Sequence, residues 1–121
     1  GDGPMVVSWR GRRIGLLVCE DLWGRDLVQG RRLYEEDPPG DTVAAGADVL
    51  VAISASPYHG GKDGHRRALF AEEARRAGRV LLTVQQVGGN DDVLFDGRSR
   101  VFDGQGETRL RLAAFAEDFA I

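Results

Sequence analysis

Apolar positions along the chain fall into three nearly continuous runs. They are IGLLVC (14–19), DVLVAIS (48–54) and RVLLTVQQV (79–87). Continuous apolar character is typical of strands that are covered on both faces, as in the parallel sheets of α/β proteins. The pattern therefore predicts three buried strands, each followed by polar, turn-permitting residues.

Helical periodicity lies between these runs. Segment 62–78 carries apolar residues at helical spacing, and Gly78 is placed to end the helix. Those apolar residues are Leu69, Phe70, Ala74 and Ala77. Segment 38–47 predicts a short helix that ends near Gly46. The order strand, helix, strand, helix, strand predicts an α/β layer with right-handed crossovers.

The remaining segments read as hairpins and a loop. Residues 99–112 alternate arginine and leucine after a turn at Asp103–Gly106, which predicts an antiparallel hairpin. Residues 5–15 predict a second hairpin that turns at Arg10–Gly11. Residues 24–41 are polar and predict a loop, or a loop with one helical turn.

Composition narrows the class of protein. The chain has 121 residues, 42% hydrophobic and 29% charged, which suits one globular domain at most. A net charge of −3, with arginines interleaved among acids, disfavours nucleic acid as a partner. We find no apolar run long enough for a membrane span and no signal-peptide pattern. The single cysteine excludes an internal disulfide and suits a reducing, cytoplasmic compartment.

Cys19 is the strongest candidate for a catalytic residue. It lies where the first apolar run ends, and the carboxyl ends of strands in open α/β sheets are where ligands bind. A nucleophile at a strand-to-turn corner faces substrate, and the next backbone N–H can point at an oxyanion. A lone cysteine is more often a small buried hydrophobe, so the position alone leaves both interpretations open.

Two further motifs are weaker. His59 and His65 are candidate bases for a cysteine–histidine dyad, although nothing in the spacing favours one. Gly88–Gly89 and the nearby aspartates could suggest phosphate or calcium binding, but no G-K-[ST] or D-x-D-x-D pattern accompanies them. Those aspartates are Asp91, Asp92 and Asp96. We predict a tight turn there and no metal site.

Three sequence motifs, taken together, indicate a particular protein family. GLLVCEDLW, GADVLVAISASPYHGGK and VQQVGGNDDVLFDGRSRVFDGQGE stand in this order over nearly the whole chain. The chain resembles the carbon–nitrogen hydrolase (nitrilase) superfamily, and within it the glutaminase domain of glutamine-dependent NAD synthetases. The resemblance implies an α/β fold, part of an αββα sandwich, with a β-α-β-α-β layer and antiparallel hairpins.

The resemblance also implies a reaction. A cysteine attacks the side-chain amide of glutamine, ammonia leaves, and water hydrolyses the resulting γ-glutamyl thioester. Cys19 matches the family nucleophile, and the Glu20 N–H would contribute to the oxyanion hole. Glu20 and Trp23 fall at positions that line the glutamine pocket, and Ser56 and Lys62 at positions that bind the amino-acid end of the substrate.

The sequence departs from the family in its catalytic set. The family's glutamate base and oxyanion-stabilising lysine precede the cysteine, but the 18 residues before Cys19 contain neither. Thr83 and Gln85 also stand where the family commonly has tyrosine and asparagine. We therefore interpret residues 1–121 as the C-terminal part of a glutaminase domain. The upstream half and a downstream synthetase domain would be absent, and the chain alone nearly inactive.

The resemblance also implies cofactors and partners for the parent protein that this segment does not contain. The resemblance implies no cofactor in this segment, ATP and Mg²⁺ in the synthetase domain, and a homo-oligomeric parent. In the parent, ammonia amidates nicotinic acid adenine dinucleotide (deamido-NAD). Two alternatives stay open: a stand-alone carbon–nitrogen hydrolase that acts on another amide, and a non-catalytic remnant.

Overall fold

Three parallel strands form the centre of one sheet in the computed structural model, which describes residues 3–24, 27–28, 31–32 and 35–121. The six-stranded sheet has the order β1-β2-β5-β6-β9-β10. Its strands are β1 (Met5–Trp9), β2 (Arg12–Val18), β5 (Val49–Ser54), β6 (Val80–Gln85), β9 (Arg100–Phe102) and β10 (Thr108–Arg111). Strands β2, β5 and β6 pair in parallel, and the outer pairs are antiparallel. The predicted central strands and both hairpins are confirmed.

Two helices connect the parallel strands, as predicted. Helix α1 (Pro38–Ala44) begins after Asp37, whose side chain accepts a hydrogen bond from the Gly40 N–H. Helix α2 (Lys62–Ala77) ends at Gly78, which has a left-handed φ of 59°. A glycine adopts this conformation without the steric cost that a side chain would add, so Gly78 ends the helix where the sequence predicted.

Segment 24–41 contains two short strands that were not predicted. Leu27–Val28 (β3) pairs with Arg31–Arg32 (β4), and the rest of that loop prediction, at 25–26, 29–30 and 33–34, lies outside the described residues. The turn predicted around Gly88–Gly89 falls slightly later. Those glycines lie in β7 (Val87–Asn90), which turns at residues 91–92 into β8 (Val93–Asp96).

Among the described residues, the core lies between the helices and one face of the sheet. Its buried residues are Leu17, Leu22, Ala47, Leu50, Ala52, Phe70, Ala74, Leu81 and Phe102. Gly15 lets α1 approach β2 closely, since a Cβ there would overlap the Thr42 side chain.

The opposite face of the sheet is uncovered by the described residues. At the centre of that face, Val18 is 58% exposed, Ile53 54% and Val84 49%. The continuous apolar runs predicted that other elements would cover both faces of the sheet. Within the described residues, only one face is covered. An apolar face of this kind on a central sheet is typical of a surface that another layer covers.

Candidate active site

Cys19 lies at the corner where β2 ends. It is the first residue of a 3-10 turn (Cys19–Leu22), and its φ of 43° takes the chain out of the extended path of the strand. The Asp21 carboxylate accepts a hydrogen bond from the Val18 N–H at 2.7 Å, and the Glu20 carbonyl accepts one from the Trp23 N–H at 2.8 Å. A non-glycine residue with positive φ costs free energy, and such strain is common at functional sites.

The thiol contacts the neighbouring parallel strand. Ser54, the last residue of β5, donates its hydroxyl to the Cys19 Sγ at 3.5 Å. A hydrogen bond of this kind orients the sulfur. The sequence analysis missed Ser54, although its place at the end of the strand next to Cys19's strand was the available signal. Ser54 is thus a side chain that the fold brings into contact with the sulfur.

Lys62, the first residue of α2, lies beside Trp23. The Lys62 Nζ donates to the Pro57 carbonyl at 2.9 Å and lies 5.6 Å from the centre of the Trp23 ring. Burial lowers the pKa of Lys62, and the charge of Arg66 lowers it further, against the opposing influence of Asp96 and Cys19. The cation therefore lies within electrostatic reach of the thiol.

Trp23 also has a packing role. Its ring meets Phe70 edge-on at 5.5 Å and lies 6.2 Å from the ring of His65, so it joins the Cys19 turn to α2. The indole thus secures the turn and presents a face to Lys62. His59, by contrast, is exposed and lies with Nδ1 3.2 Å from the Gly60 carbonyl.

Ser56 and Glu20, the two remaining predicted site residues, differ in exposure. Ser56 follows β5 and is 7% exposed, whereas Glu20 is exposed in the 3-10 turn. The roles of Ser56 and Glu20 stay predictions.

A buried ion-pair network fixes the first turn of α2. Arg66 donates to Asp96 at 2.9 Å, and both side chains are 2% exposed. Arg100 donates to both oxygens of Asp63 at 2.8 and 2.9 Å, and Arg98 donates to Asp63 at 2.9 Å. Asp63 follows Lys62 directly, so the network holds the segment that carries this cation. Sequence reasoning missed it because its members are up to 37 residues apart.

The network also bears on the weak metal motif. Asp96 forms an ion pair with Arg66, and Arg98 lies 3.6 Å from the same carboxylate. Asp91 lies in the turn between β7 and β8 with a φ of 51°. The described residues contain no group of three or more histidine, cysteine, aspartate or glutamate side chains that could hold a metal ion.

We expect the Asp63→Asn substitution to weaken the fold near neutral pH by about 2 kcal/mol, because it removes charge-assisted hydrogen bonds. Burial opposes ionisation of Asp63, but hydrogen bonding from Arg100 and the charges of Arg100 and Arg98 outweigh it and lower its pKa. Its stabilising contribution is therefore full above the unfolded-state pKa of about 3.9 and is lost as pH falls through the lower folded-state value.

Urea midpoints of the wild type and Asp63→Asn, compared from pH 6 to about pH 3, check this expectation. The difference between the two proteins should shrink as pH falls. The exposed Asp91→Asn is the matched control and should show no such convergence. A difference that stays constant with pH would contradict the assignment.

A cavity of about 570 Å³ lies between β2 and α1 and is lined partly by Glu20 and Asp21, but its lining does not include Cys19. We place the candidate site at the thiol, because the chemistry requires a nucleophile. Among the described residues, no helix is long and apolar enough to cross a bilayer.

Comparison with curated proteins identifies similar chains. The chain is 40% identical over 109 residues to a glutamine-dependent NAD⁺ synthetase of Synechocystis sp., covering 90% of this chain and 20% of that protein. It is 38% identical over 116 residues to a glutamine-dependent NAD⁺ synthetase of Xylella fastidiosa, covering 96% and 19%. The chain thus spans about a fifth of the length of these relatives. No family model matches it.

Solved structures give the same result for the fold. The glutamine-dependent NAD⁺ synthetase of Acinetobacter baumannii, solved with ADP, has a TM-score of 0.82 at 31% identity, covering 98% of this chain and 20% of that one. A Nesterenkonia amidase, with the acetamide moiety of fluoroacetamide on its active-site cysteine, has a TM-score of 0.75 at 25% identity, covering 93% and 38%. The resemblance to the nitrilase superfamily, and within it to glutamine-dependent NAD synthetases, is confirmed.

Proposed function

We propose that this chain, which resembles a fifth of a glutamine-dependent NAD⁺ synthetase, supplies the nucleophile and part of the substrate pocket for glutamine hydrolysis. One observation carries the proposal: Cys19 lies on a strained strand-to-turn corner, in hydrogen-bond contact with Ser54. Lys62 and Trp23 lie beside it. A cysteine nucleophile also requires an adjacent general base, which this proposal assigns to the upstream half of the domain.

The reaction proceeds in two steps. The Cys19 sulfur bonds to the side-chain amide carbon of glutamine, and the carbonyl oxygen becomes an oxyanion that the Glu20 N–H stabilises. The carbon–nitrogen bond then breaks, and the nitrogen takes the proton that the thiol gave to the upstream glutamate base and leaves as ammonia. Water attacks the γ-glutamyl thioester, which releases glutamate and restores the thiol.

The pocket must also recognise the other end of glutamine. An α-carboxylate and an α-ammonium need one cationic and one anionic or neutral hydrogen-bonding partner. Lys62 supplies the cation, while Ser56 supplies a hydroxyl and Glu20 a carboxylate. Trp23 closes the side of the pocket against α2, where it already packs on Phe70.

The chain is the C-terminal part of the glutaminase domain in this proposal. Its uncovered apolar face, which includes Val18, Ile53 and Val84, is covered by the upstream half of the sandwich. That half carries the glutamate base and the oxyanion lysine. A downstream synthetase domain with ATP and Mg²⁺ uses the ammonia to amidate deamido-NAD, in a cytoplasmic homo-oligomer.

An amidase function is the alternative that one observation favours. The Nesterenkonia amidase shares the fold, and this chain covers 38% of it. Its 25% identity is lower than the 40% identity to the synthetase, which weighs against a non-synthetase substrate. A non-catalytic remnant remains the third candidate.

Glutamate release by the full-length protein that carries this chain tests the proposal. We expect Cys19→Ala to reduce glutamine hydrolysis by about 10³-fold or more, because the covalent route is lost. The exposed Ser8→Ala, on edge strand β1, should retain full activity. Turnover of propionamide without turnover of glutamine would favour the amidase, and turnover of neither would favour the remnant.

A further inference from the structure

Phe115 lies in the C-terminal segment and adopts a backbone conformation that its side chain disfavours. Its φ is 58°, in the left-handed region, where a bulky aromatic residue is a genuine outlier. The turn itself is held by the backbone, because the Phe115 N–H donates to the Asp96 carbonyl at 3.0 Å. Asparagine or glycine would adopt this conformation at lower cost, so the phenylalanine ring at this position needs a reason of its own.

The ring of Phe115 packs against the loop that joins β5 to α2. Tyr58, in that loop, meets it edge-on, with the ring centres 5.2 Å apart and the planes at 80°. Aromatic pairs favour this edge-to-face geometry over parallel stacking, so the contact fixes the orientation of Tyr58. The Tyr58 N–H also donates to the Leu94 carbonyl at 2.7 Å, which attaches the same point of the loop to β8.

Arg98 joins the same ring to the first turn of α2. Its guanidinium carbon lies 5.7 Å from the centre of the Phe115 ring, and its Nη1 donates to Asp63 at 2.9 Å. Arg98 also has a left-handed φ, of 61°, so two strained residues meet at this contact. Backbone strain of this kind is concentrated at functional sites. Phe115 therefore contacts the loop directly and α2 through Arg98.

The two points held by Phe115 enclose the predicted substrate-binding side chains. Ser56 lies two residues before Tyr58, and Lys62 lies directly before Asp63. Segment 56–62 thus has the Phe115 ring against its first half and the Arg98–Asp63 ion pair at its end. A change in the position of the ring would therefore move the side chains that the proposed function assigns to the amino-acid end of glutamine.

We propose that Phe115 is a positioning residue for glutamine binding, an inference that rests on the proposed glutamine hydrolysis. Its ring holds segment 56–62, so that the Ser56 hydroxyl and the Lys62 ammonium keep the spacing that the substrate requires. Phe115 acts through this segment and not on the reacting atoms, since Cys19 lies in the 3-10 turn after β2. Loss of the ring should weaken glutamine binding and leave the attack of the sulfur unchanged.

Steady-state kinetics of the full-length protein that carries this chain test the assignment. Phe115→Asn removes the ring and keeps the turn, because asparagine adopts the left-handed conformation more readily than most residues. We expect the KM for glutamine to rise about twofold to tenfold, the effect that one aromatic pair supports, with kcat nearly unchanged. Phe115→Tyr keeps the ring and should have the wild-type KM.

Control variants separate this role from a general loss of stability. Phe119→Ala truncates another ring of the same segment, which is 80% exposed, and should keep the wild-type KM. Tyr58→Ala should raise the KM as Phe115→Asn does. The double variant should be no worse than either single one, because all three remove the same contact. Increases in KM that multiply in the double variant would overturn the inference.

Hydrogen exchange of the same proteins measures the loop without turnover. Backbone amides of segment 56–62 should exchange faster in Phe115→Asn than in the wild type, while those of β5 should be unchanged. A wild-type KM in Phe115→Asn, whether or not the loop exchanges faster, would overturn the inference and leave the proposed function intact. A wild-type protein that does not hydrolyse glutamine would instead overturn the proposed function, and the role of Phe115 with it.

Discussion

Replacing Arg66 with methionine is expected to lower the free energy of unfolding by about 3–5 kcal/mol, because a buried carboxylate loses the shorter of its two ion-pair contacts and keeps only Arg98 at 3.6 Å. Arg66 and Asp96 are each 2% exposed and 2.9 Å apart. Water cannot solvate Asp96 once the guanidinium is gone. Domains of this size have a free energy of unfolding of only about 5–15 kcal/mol, so a loss of this size unfolds a substantial fraction of a marginally stable chain.

Urea denaturation of Arg66→Met measures the effect, and the same helix provides a matched control. Arg75 forms an exposed ion pair with Glu72, and Arg75→Met should cost less than about 1 kcal/mol. The double variant Arg66→Met with Asp96→Leu should recover much of the loss, since no buried charge is then left alone. Equal midpoints for Arg66→Met and Arg75→Met would show that the buried pair does not stabilise the fold.

The parts of the fold that sequence predicts well are those that local physics determines. Continuous apolar runs identify β2, β5 and β6, because a strand covered by helices requires them. Gly78 ends α2 since it adopts a left-handed conformation that other residues avoid. The sequence also predicts that Cys19 lies at a strand end, because the apolar run ends there and polar residues follow.

The rest of the site depends on register and on distant contacts. Ser54 reaches the thiol because β2 and β5 pair in parallel with Val18 opposite Ile53, and no local pattern specifies that offset. The Arg66–Asp96 pair joins residues 30 positions apart. Gln85 was noticed as a departure from its family, but its unpaired carboxamide is visible only once the strand is packed.

Reaction with a glutamine-mimicking diazo-ketone is the second large effect that we expect, and it follows from the proposed place of this chain within a longer glutaminase domain. A positioned general base contributes about 10²–10⁴-fold, and one oxyanion donor about 10²–10³-fold. The 121-residue chain should therefore label at least about 10³-fold more slowly than a protein that also supplies the glutamate and lysine.

The contacts of Lys62 hold its ammonium away from the role of the upstream lysine. Its ammonium is held by the Pro57 carbonyl at 2.9 Å and by the Trp23 ring, and both contacts would have to break for it to reach an oxyanion. Labelling is read from intact mass, with Cys19→Ala as the negative control. Iodoacetamide tests whether the thiol is accessible, and circular dichroism tests whether the chain is folded.

Each outcome of the labelling experiment identifies where the activating groups lie. No diazo-ketone adduct on a folded chain whose thiol reacts with iodoacetamide would mean that Cys19 is in place but lacks its base and oxyanion cation. Restoration of labelling when the upstream segment is present would then assign those groups to that segment. A stoichiometric adduct on the 121-residue chain alone would instead show that its own residues activate the thiol, with Lys62 the first candidate, and would overturn the proposed division of the site.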